Sequence, residues 1–225
     1  MPANEFKTNP DAMVGAAYTT NVADFSSDIA WNDHKLRYVI EHAAGKDVLD
    51  VGCVDHDPAA YQSKYWVHKA LKEKARSVLG MDLSVDGVTY LQDQGYNVVH
   101  GDAQSFELGR KFDVVVAGDL MEHLEDFASF LESCKRHLNP GGSIIVSTPN
   151  PWWWRYILKS ILSVEVANHP EHTCWLCPRT LRQLVSRHGM EVRDIRFGSR
   201  YARDRFMPLP RGIKHPSWHA RIVVD

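Results

Sequence analysis

Cysteine is scarce and poorly spaced for a framework: four residues, at positions 53, 134, 174 and 177, with only Cys174 and Cys177 close together. A disulfide scaffold needs more pairs, and a structural zinc site needs a second pair of ligands beside the C-x-x-C. Long apolar runs are also missing. The longest, such as Phe112 to Gly118, are strand-sized, far short of the roughly 20 residues of a membrane-spanning helix. The first residues lack the basic start and apolar core of a secretory signal. No repeat, low-complexity segment or Pro/Gly/Ser linker separates two cores. With 225 residues, 44% of them hydrophobic, the chain is too apolar for a disordered tail and suits one large domain. These absences predict a cytoplasmic protein without membrane association: a weakly patterned arm or cap over residues 1–30, then a single domain over 31–225.

A strong net charge is absent too, at −2 overall, and no nucleic-acid recognition module is evident, so a general nucleic-acid binder is disfavoured. The charge is nonetheless uneven. From Arg179 to Asp225, Lys and Arg clearly outnumber Asp and Glu. An anionic partner and a solvated basic face both fit that excess. The arginines of Arg193-Asp-Ile-Arg-Phe197 alternate with apolar residues, the pattern of a half-buried edge strand.

What is present is alternation. A helix with Leu36, Val39 and Ile40 on one face, capped by Asn32 or Asp33 and ended by Gly45, leads into a strand from Lys46 to Gly52. A helix over Tyr61–Ala75, a strand over Ser77–Met81, a helix over Ser84–Gln94 and a strand over Tyr96–His100 follow. Then come the most apolar strand, Phe112–Gly118, a helix over Glu125–Leu138 and a strand over Ser143–Ser147. Beyond Thr148 the order changes to a tryptophan-rich segment, a helix over Arg179–His188 and two strands, Glu191–Phe197 and Ala220–Val224, with no helix between them. This is an α/β chain: a doubly wound, mostly parallel seven-stranded sheet with an antiparallel C-terminal edge. The cofactor half spans about 45–148, and an acceptor lid with the last strands about 149–225.

In such a sheet, ligands bind outside the carboxyl ends of the strands. There the sequence places Asp50-Val-Gly-Cys53, Asp82, Gly101-Asp-Ala103 and Gly118-Asp119. The G-x-G-x-x-G turn of a dinucleotide site is absent; Gly52-Cys-Val-Asp-His-Asp57 stands instead. A pyrophosphate would meet the Asp55 and Asp57 charges there, whereas a cationic ligand without phosphates would not. An acid ending the second strand suits the vicinal hydroxyls of a ribose.

Val48-Leu-Asp-Val-Gly-Cys53, Gly101-Asp-Ala103, Glu122-His-Leu124, Leu138-Asn-Pro-Gly-Gly142 and Thr148-Pro-Asn-Pro151 together resemble class I S-adenosylmethionine-dependent methyltransferases. Among these, the chain is similar to the small-molecule and glycan O-methyltransferases related to the ubiquinone-pathway enzymes, from about Ile29 to its end. The resemblance implies S-adenosylmethionine as cofactor. It places Asp50, Gly52 and Cys53 on the methionine and ribose side, Asp82 with Leu83 at the ribose, Asp102 and Ala103 at the adenine, and Asp119 beyond the fourth strand. Two departures bear on the first loop: Val54 and His56 stand where later glycines are usual, and the chain between Gly52 and Asp82 is longer than the common spacing.

Methyl transfer to a hydroxyl needs alignment and help in losing a proton. If a helix begins after the fourth strand, Asp119, Glu122 and His123 share one face of it. His169-Pro-Glu-His-Thr173 lies on the segment that covers the sheet edge. Two chemistries are open: His123, His169 or His172 as a catalytic base, or Asp119, Glu122, His123 and His172 as ligands of Mg, Mn or Zn. Trp152-Trp-Trp154 and Tyr156 either wall an acceptor pocket or are core, and Cys174-Trp-Leu-Cys177 finishes the lid. The expected acceptor is a small molecule or glycan. An RNA methyltransferase and a non-catalytic protein retaining the fold are the alternatives.

Overall fold

The computed structural model describes residues 29–55, 57–162, 169–198 and 208–224. The arm expected over 1–30 therefore lies outside the described residues except for its last two. They begin helix α1, Ile29–Ala43. Asn32 and Asp33 sit inside this helix and do not cap it, because it starts a turn earlier than its apolar stripe.

Seven strands follow: β1 Asp47–Val51, β2 Ser77–Asp82, β3 Val98–His100, β4 Phe112–Gly118, β5 Leu138–Pro149, β6 Met190–Gly198 and β7 Ser217–Val224. Their order across the sheet is β3-β2-β1-β4-β5-β7-β6. The first five run parallel, and β7 is antiparallel to both β5 and β6. The reversal of order between β1 and β4 opens a crevice at the carboxyl edge, the place where such sheets take ligands.

Helices α2 Val67–Lys74, α3 Val85–Asp93, α4 Phe127–Arg136, α5 Trp154–Leu162, α6 Pro178–Ser186 and the short α7 Arg211–Lys214 complete the domain. The expected helix over Tyr61–Ala75 is split: a 3-10 turn over Pro58–Gln62 precedes α2. Ser84 and Asp126 cap α3 and α4, accepting from Gly87 N and Ser129 N, a contribution of about 1 kcal/mol each.

The strand residues divide by the two-residue period of the pleat. Leu49, Val51, Val115, Ala117, Ile144 and Val146 pack against Phe130, Leu131, Leu181 and Val185 on one face. Val48, Val114, Val116 and Ile145 pack against Tyr38, Val39 and Leu71 on the other. Burying one such side chain contributes roughly 1.5–3 kcal/mol, so both faces are needed to hold the central strands. At the opposite edge from the crevice, Arg76 bridges Asp47 at 2.6 Å and Asp113 at 2.9 Å, and Asp113 also accepts from Asp47 N.

Three arginines of the basic C-terminal stretch, all on β6 and β7, are paired with acids. Arg196 holds Glu41 through both guanidinium ends at 2.7 and 2.9 Å, Arg221 reaches Asp194 at 3.4 Å, and Arg193 pairs with Glu191. Among the described residues no helix is long and apolar enough to cross a membrane.

Candidate active site at the carboxyl edge of the sheet

The turn after β1 is governed by Gly52. Its φ of 74° lies where glycine is favoured, and its N–H donates to Met81 O at 2.8 Å. A Cβ there would come 3.0 Å from Leu120 Cδ1. Asp82, ending β2, accepts from Val54 N and Ser84 N, both at 2.9 Å. Its carboxylate thus clamps the β1 loop to the start of α3. Leu83 and Val85, which follow it, are exposed, as is Tyr90 on α3, whose ring stacks on Tyr61. Asp102 accepts from Gln104 N at 2.8 Å, and the Gln104 side-chain oxygen accepts from Glu125 N and Asp126 N. That fixes the Asp102–Ala103 turn to the start of α4.

Two of the implied cofactor residues are buried. Asp50 is buried, its carboxylate 3.0 Å from His68 Nδ1, because the pleat turns it toward α2 along with Val48. Cys53 is buried as well, and burial pushes its thiol up.

After β4 no α-helix begins. Asp119 takes a left-handed φ of 52°, and a single 3-10 turn spans Met121–His123, so the helical sharing of one face by 119, 122 and 123 does not apply. Asp119 is the only non-glycine residue with positive φ among the described residues, and such a conformation persists only where neighbours enforce it. Here Lys35 Nζ donates to Oδ2 at 2.7 Å and Ser147 Oγ to Oδ1 at 2.8 Å, while Asp119 N donates to Ser147 O at 2.9 Å. Burial alone would raise the Asp119 carboxyl, but the Lys35 ammonium and the Ser147 hydroxyl outweigh it and hold it low. Glu122 is buried at 1% exposure. Desolvation, then the nearby Asp119 charge, pushes its carboxyl up to about 8.

The histidines converge. Thr173 ties its segment to the 3-10 turn by donating from N to Glu122 O at 2.8 Å and from Oγ1 to Leu124 O at 2.8 Å. This brings His169 and His172 beside His123, with ring centroids 5.6 and 4.7 Å from it. One donor nitrogen from each of the three lies within 4.8 Å of the others. Burial, and then the neighbouring His123 and His169, lower the His172 pKa to about 4. Among the described residues this trio is the group of His, Cys, Asp and Glu donors with metal-ligand spacing. The expected set of Asp119, Glu122, His123 and His172 is not gathered in that way, since Asp119 is engaged by Lys35 and Ser147.

An aromatic wall continues from the trio. His172 meets Trp175 at 6.2 Å, Trp175 meets Tyr156 at 5.2 Å, and Tyr156 meets Trp153 at 5.0 Å. Trp153 and Tyr156 are buried, while Trp152 is exposed. Cys174 and Cys177 are free thiols. Cys177 N donates to Thr180 Oγ1 at 3.0 Å at the start of α6. Lys35, Ser147 and Thr173 were not legible as site residues, because each acts only through partners distant in sequence.

Residues 28–195 match the family model described as "Methyltransferase domain". A probable S-adenosylmethionine-dependent methyltransferase of Mycolicibacterium smegmatis is 30% identical over 166 residues, which are 72% of this chain and 59% of that one. The chain thus spans about three fifths of that relative's length. The ubiquinone biosynthesis O-methyltransferase of Pseudomonas entomophila is 27% identical over 180 residues, covering 74% of this chain and 72% of that one. A crystal structure of a SAM-dependent methyltransferase from Archaeoglobus fulgidus shares the fold, with a TM-score of 0.64 at 19% identity, over 91% of this chain and 98% of that one.

Proposed function

Because this chain belongs to the S-adenosylmethionine-dependent methyltransferases, we propose that it methylates a hydroxyl oxygen of a small molecule. The observation that carries this reading is the convergence of His123, His169 and His172 directly beyond β4. A hydroxyl must lose its proton on attack, and neutral imidazoles assist that either as a base or as ligands of a Lewis-acidic cation. The name of the Pseudomonas relative supports an oxygen acceptor.

The residues of the carboxyl edge fit the cofactor. Gly52 leaves room where a side chain would strike Leu120, Asp82 ends β2 with a carboxylate of the kind that accepts from paired hydroxyls, and Leu83, Val85 and Tyr90 are exposed apolar side chains close by in sequence. When bound, S-adenosylmethionine supplies an electrophilic methyl group on its sulfonium. Leu120 and the 3-10 turn wall the space between the Gly52 turn and the histidines. Trp175 and Tyr156 extend that wall. Alignment of this kind supplies roughly 7–11 kcal/mol of barrier lowering in well-oriented systems.

The same trio also fits a divalent metal. Three imidazoles without a carboxylate suit zinc better than manganese or magnesium, which prefer oxygen ligands. A cation held by His123, His169 and His172 would lower the pKa of a hydroxyl brought against it. The site is intramolecular and walled by aromatics, and the arginines of β6 are paired, which favours a small acceptor over RNA.

Incubation with S-adenosylmethionine and a panel of catechol, phenol, amine and thiol probes, read by mass spectrometry, tests the reading. Methylation of catechol or phenol oxygen is expected, and its abolition by His123→Ala. Transfer to amine or thiol probes alone would overturn it. A chelator separates the two forms of proton handling: loss of activity restored by Zn²⁺ or Mn²⁺ marks the metal, and indifference marks a histidine base.

A further inference from the structure

The loop after β1 lacks the glycines that usually let such a loop follow its cofactor, with Val54 and His56 at those positions. The longer segment between Gly52 and Asp82 contains what holds the loop instead. Tyr61 donates from its hydroxyl to Asp55 O at 2.8 Å, and Trp66 from Nε1 to Cys53 O at 3.1 Å. His68 Nδ1 lies 3.0 Å from Asp50 Oδ2, with side-chain exposures of 0% and 5%. An ionised carboxylate only accepts, so the imidazole N–H is the donor.

The pair has a recess built for it. Asp50 and Gly80 are register partners on β1 and β2. A Cβ on Gly80 would lie 2.7 Å from each of His68 Cε1, Cys53 Sγ and Val98 Cγ1. Glycine inside a strand marks a close approach of other groups, and here the imidazole is one of three that need the space. Its ring is enclosed by Trp66 and Tyr96, with centroids 5.5 and 5.7 Å away. His68 Nε2 is buried without a hydrogen-bond partner, so the ring is held by one bond and by packing. A leucine would fill the same space at less cost if filling were its only task, because a buried polar atom without a partner is unfavourable.

We propose that His68 and Trp66 are positioning residues for the cofactor: their bonds to Asp50 and Cys53 fix the Gly52 turn that further glycines would otherwise shape. The start of α2 thus grips the end of β1 at two points on either side of Gly52. Neither residue touches the reacting atoms. The inference rests on the family's cofactor and not on the acceptor or the histidine trio.

Titration calorimetry with S-adenosylhomocysteine tests it without any acceptor. His68→Leu keeps the bulk and removes the donor, whereas His68→Asn keeps a donor close to the Nδ1 position. Loss of a hydrogen bond to a charged group predicts that His68→Leu weakens binding about tenfold or more. His68→Asn should stay within about threefold of the parent, since it retains the donor. Because the two groups act as a pair, adding Asp50→Asn to His68→Leu should weaken binding by less than the product of the separate effects. Denaturation midpoints are recorded for each variant. A purely structural role lowers the midpoint and leaves the affinity of the folded protein alone. Unchanged affinity in folded His68→Leu, or an Asn variant as weak as the Leu variant, would overturn the proposal. If His68→Leu does not fold, Trp66→Phe, which loses only the bond to Cys53 O, carries the test: weaker binding is expected, and unchanged binding overturns it.

Discussion

Leu120 closes over Gly52: a Cβ on the glycine would meet Leu120 Cδ1 at 3.0 Å. The turn after β1 and the turn after β4 therefore approach each other across the crevice.

Gly52→Ala should fail on two counts. The left-handed φ costs an alanine roughly 1–2 kcal/mol, and the methyl group must displace Leu120. Chemical denaturation should show a loss of at least the conformational cost, and calorimetry a marked loss of S-adenosylhomocysteine affinity. Adding Leu120→Ala relieves the contact and not the φ, so it should restore stability only in part. Full restoration would mean that the backbone conformation is not needed.

Asp82→Ala removes the acceptor for Val54 N and Ser84 N together with the expected ribose contact. Hydrogen bonds to charged groups contribute about 1.5–3 kcal/mol each. Binding of S-adenosylhomocysteine should weaken by at least that amount in a protein that still folds, since Asp82 lies at the sheet edge. A folded variant with the parent's affinity would remove Asp82 from the cofactor site.

At the far edge of the sheet, hydrogen bonds from Arg76 and then from Ser77 hold the Asp47 carboxyl down at about 2, against an ordinary 3.8. The bond from Asp47 N, then that from Asn139, likewise holds Asp113 low. A carboxyl depressed in the folded state contributes stability that is full above its unfolded value and lost as pH falls through its folded value. Unfolding midpoints should thus decline as pH drops from about 4 toward 2, where the unfolded chain binds more protons. Arg76→Gln should shallow that decline. An unchanged slope would show that these groups do not couple to folding.

The strand-end acids were legible because a parallel sheet delivers chemistry to one edge: Asp82, Asp102 and Asp119 each follow an apolar run that reads as a strand. The antiparallel C-terminal edge was legible because no crossover-length helical pattern separates the last two strands; the one-turn helix Arg211–Lys214 that does lie between them was missed, being too short to show a period. What was not legible is tertiary. His68 reads as an ordinary packed histidine until Gly80 and Asp50 are seen around it. Asp119 carries no signal of its positive φ, which Lys35 and Ser147 impose from 84 and 28 residues away. The pairing of His123 with both His169 and His172 depends on Thr173 bonding to Glu122 O and Leu124 O, and spacing alone does not reveal it. The sequence favoured acids with histidines as a metal set, because it cannot show that Asp119 is already engaged.

If the three imidazoles form the cation site, ligand linkage requires that the cation stabilise the folded chain, by about 2.7 kcal/mol at a hundred times its dissociation constant. Chelator-treated protein titrated with Zn²⁺ should show a rising unfolding midpoint, Mn²⁺ a smaller rise, and Mg²⁺ should do little, because imidazole is a poor ligand for it. His123→Ala, His169→Ala and His172→Ala should each abolish most of the rise. Asp119→Asn should lower the midpoint of the chelated protein through loss of its bond to Lys35 but leave the metal-induced rise in place. An acid-containing site predicts the opposite: Asp119→Asn removes the rise and His169→Ala spares it. No rise with any of the three cations would leave the trio to work as neutral imidazoles, and His123→Ala would then act on proton transfer alone, costing about 10²–10⁴ in rate.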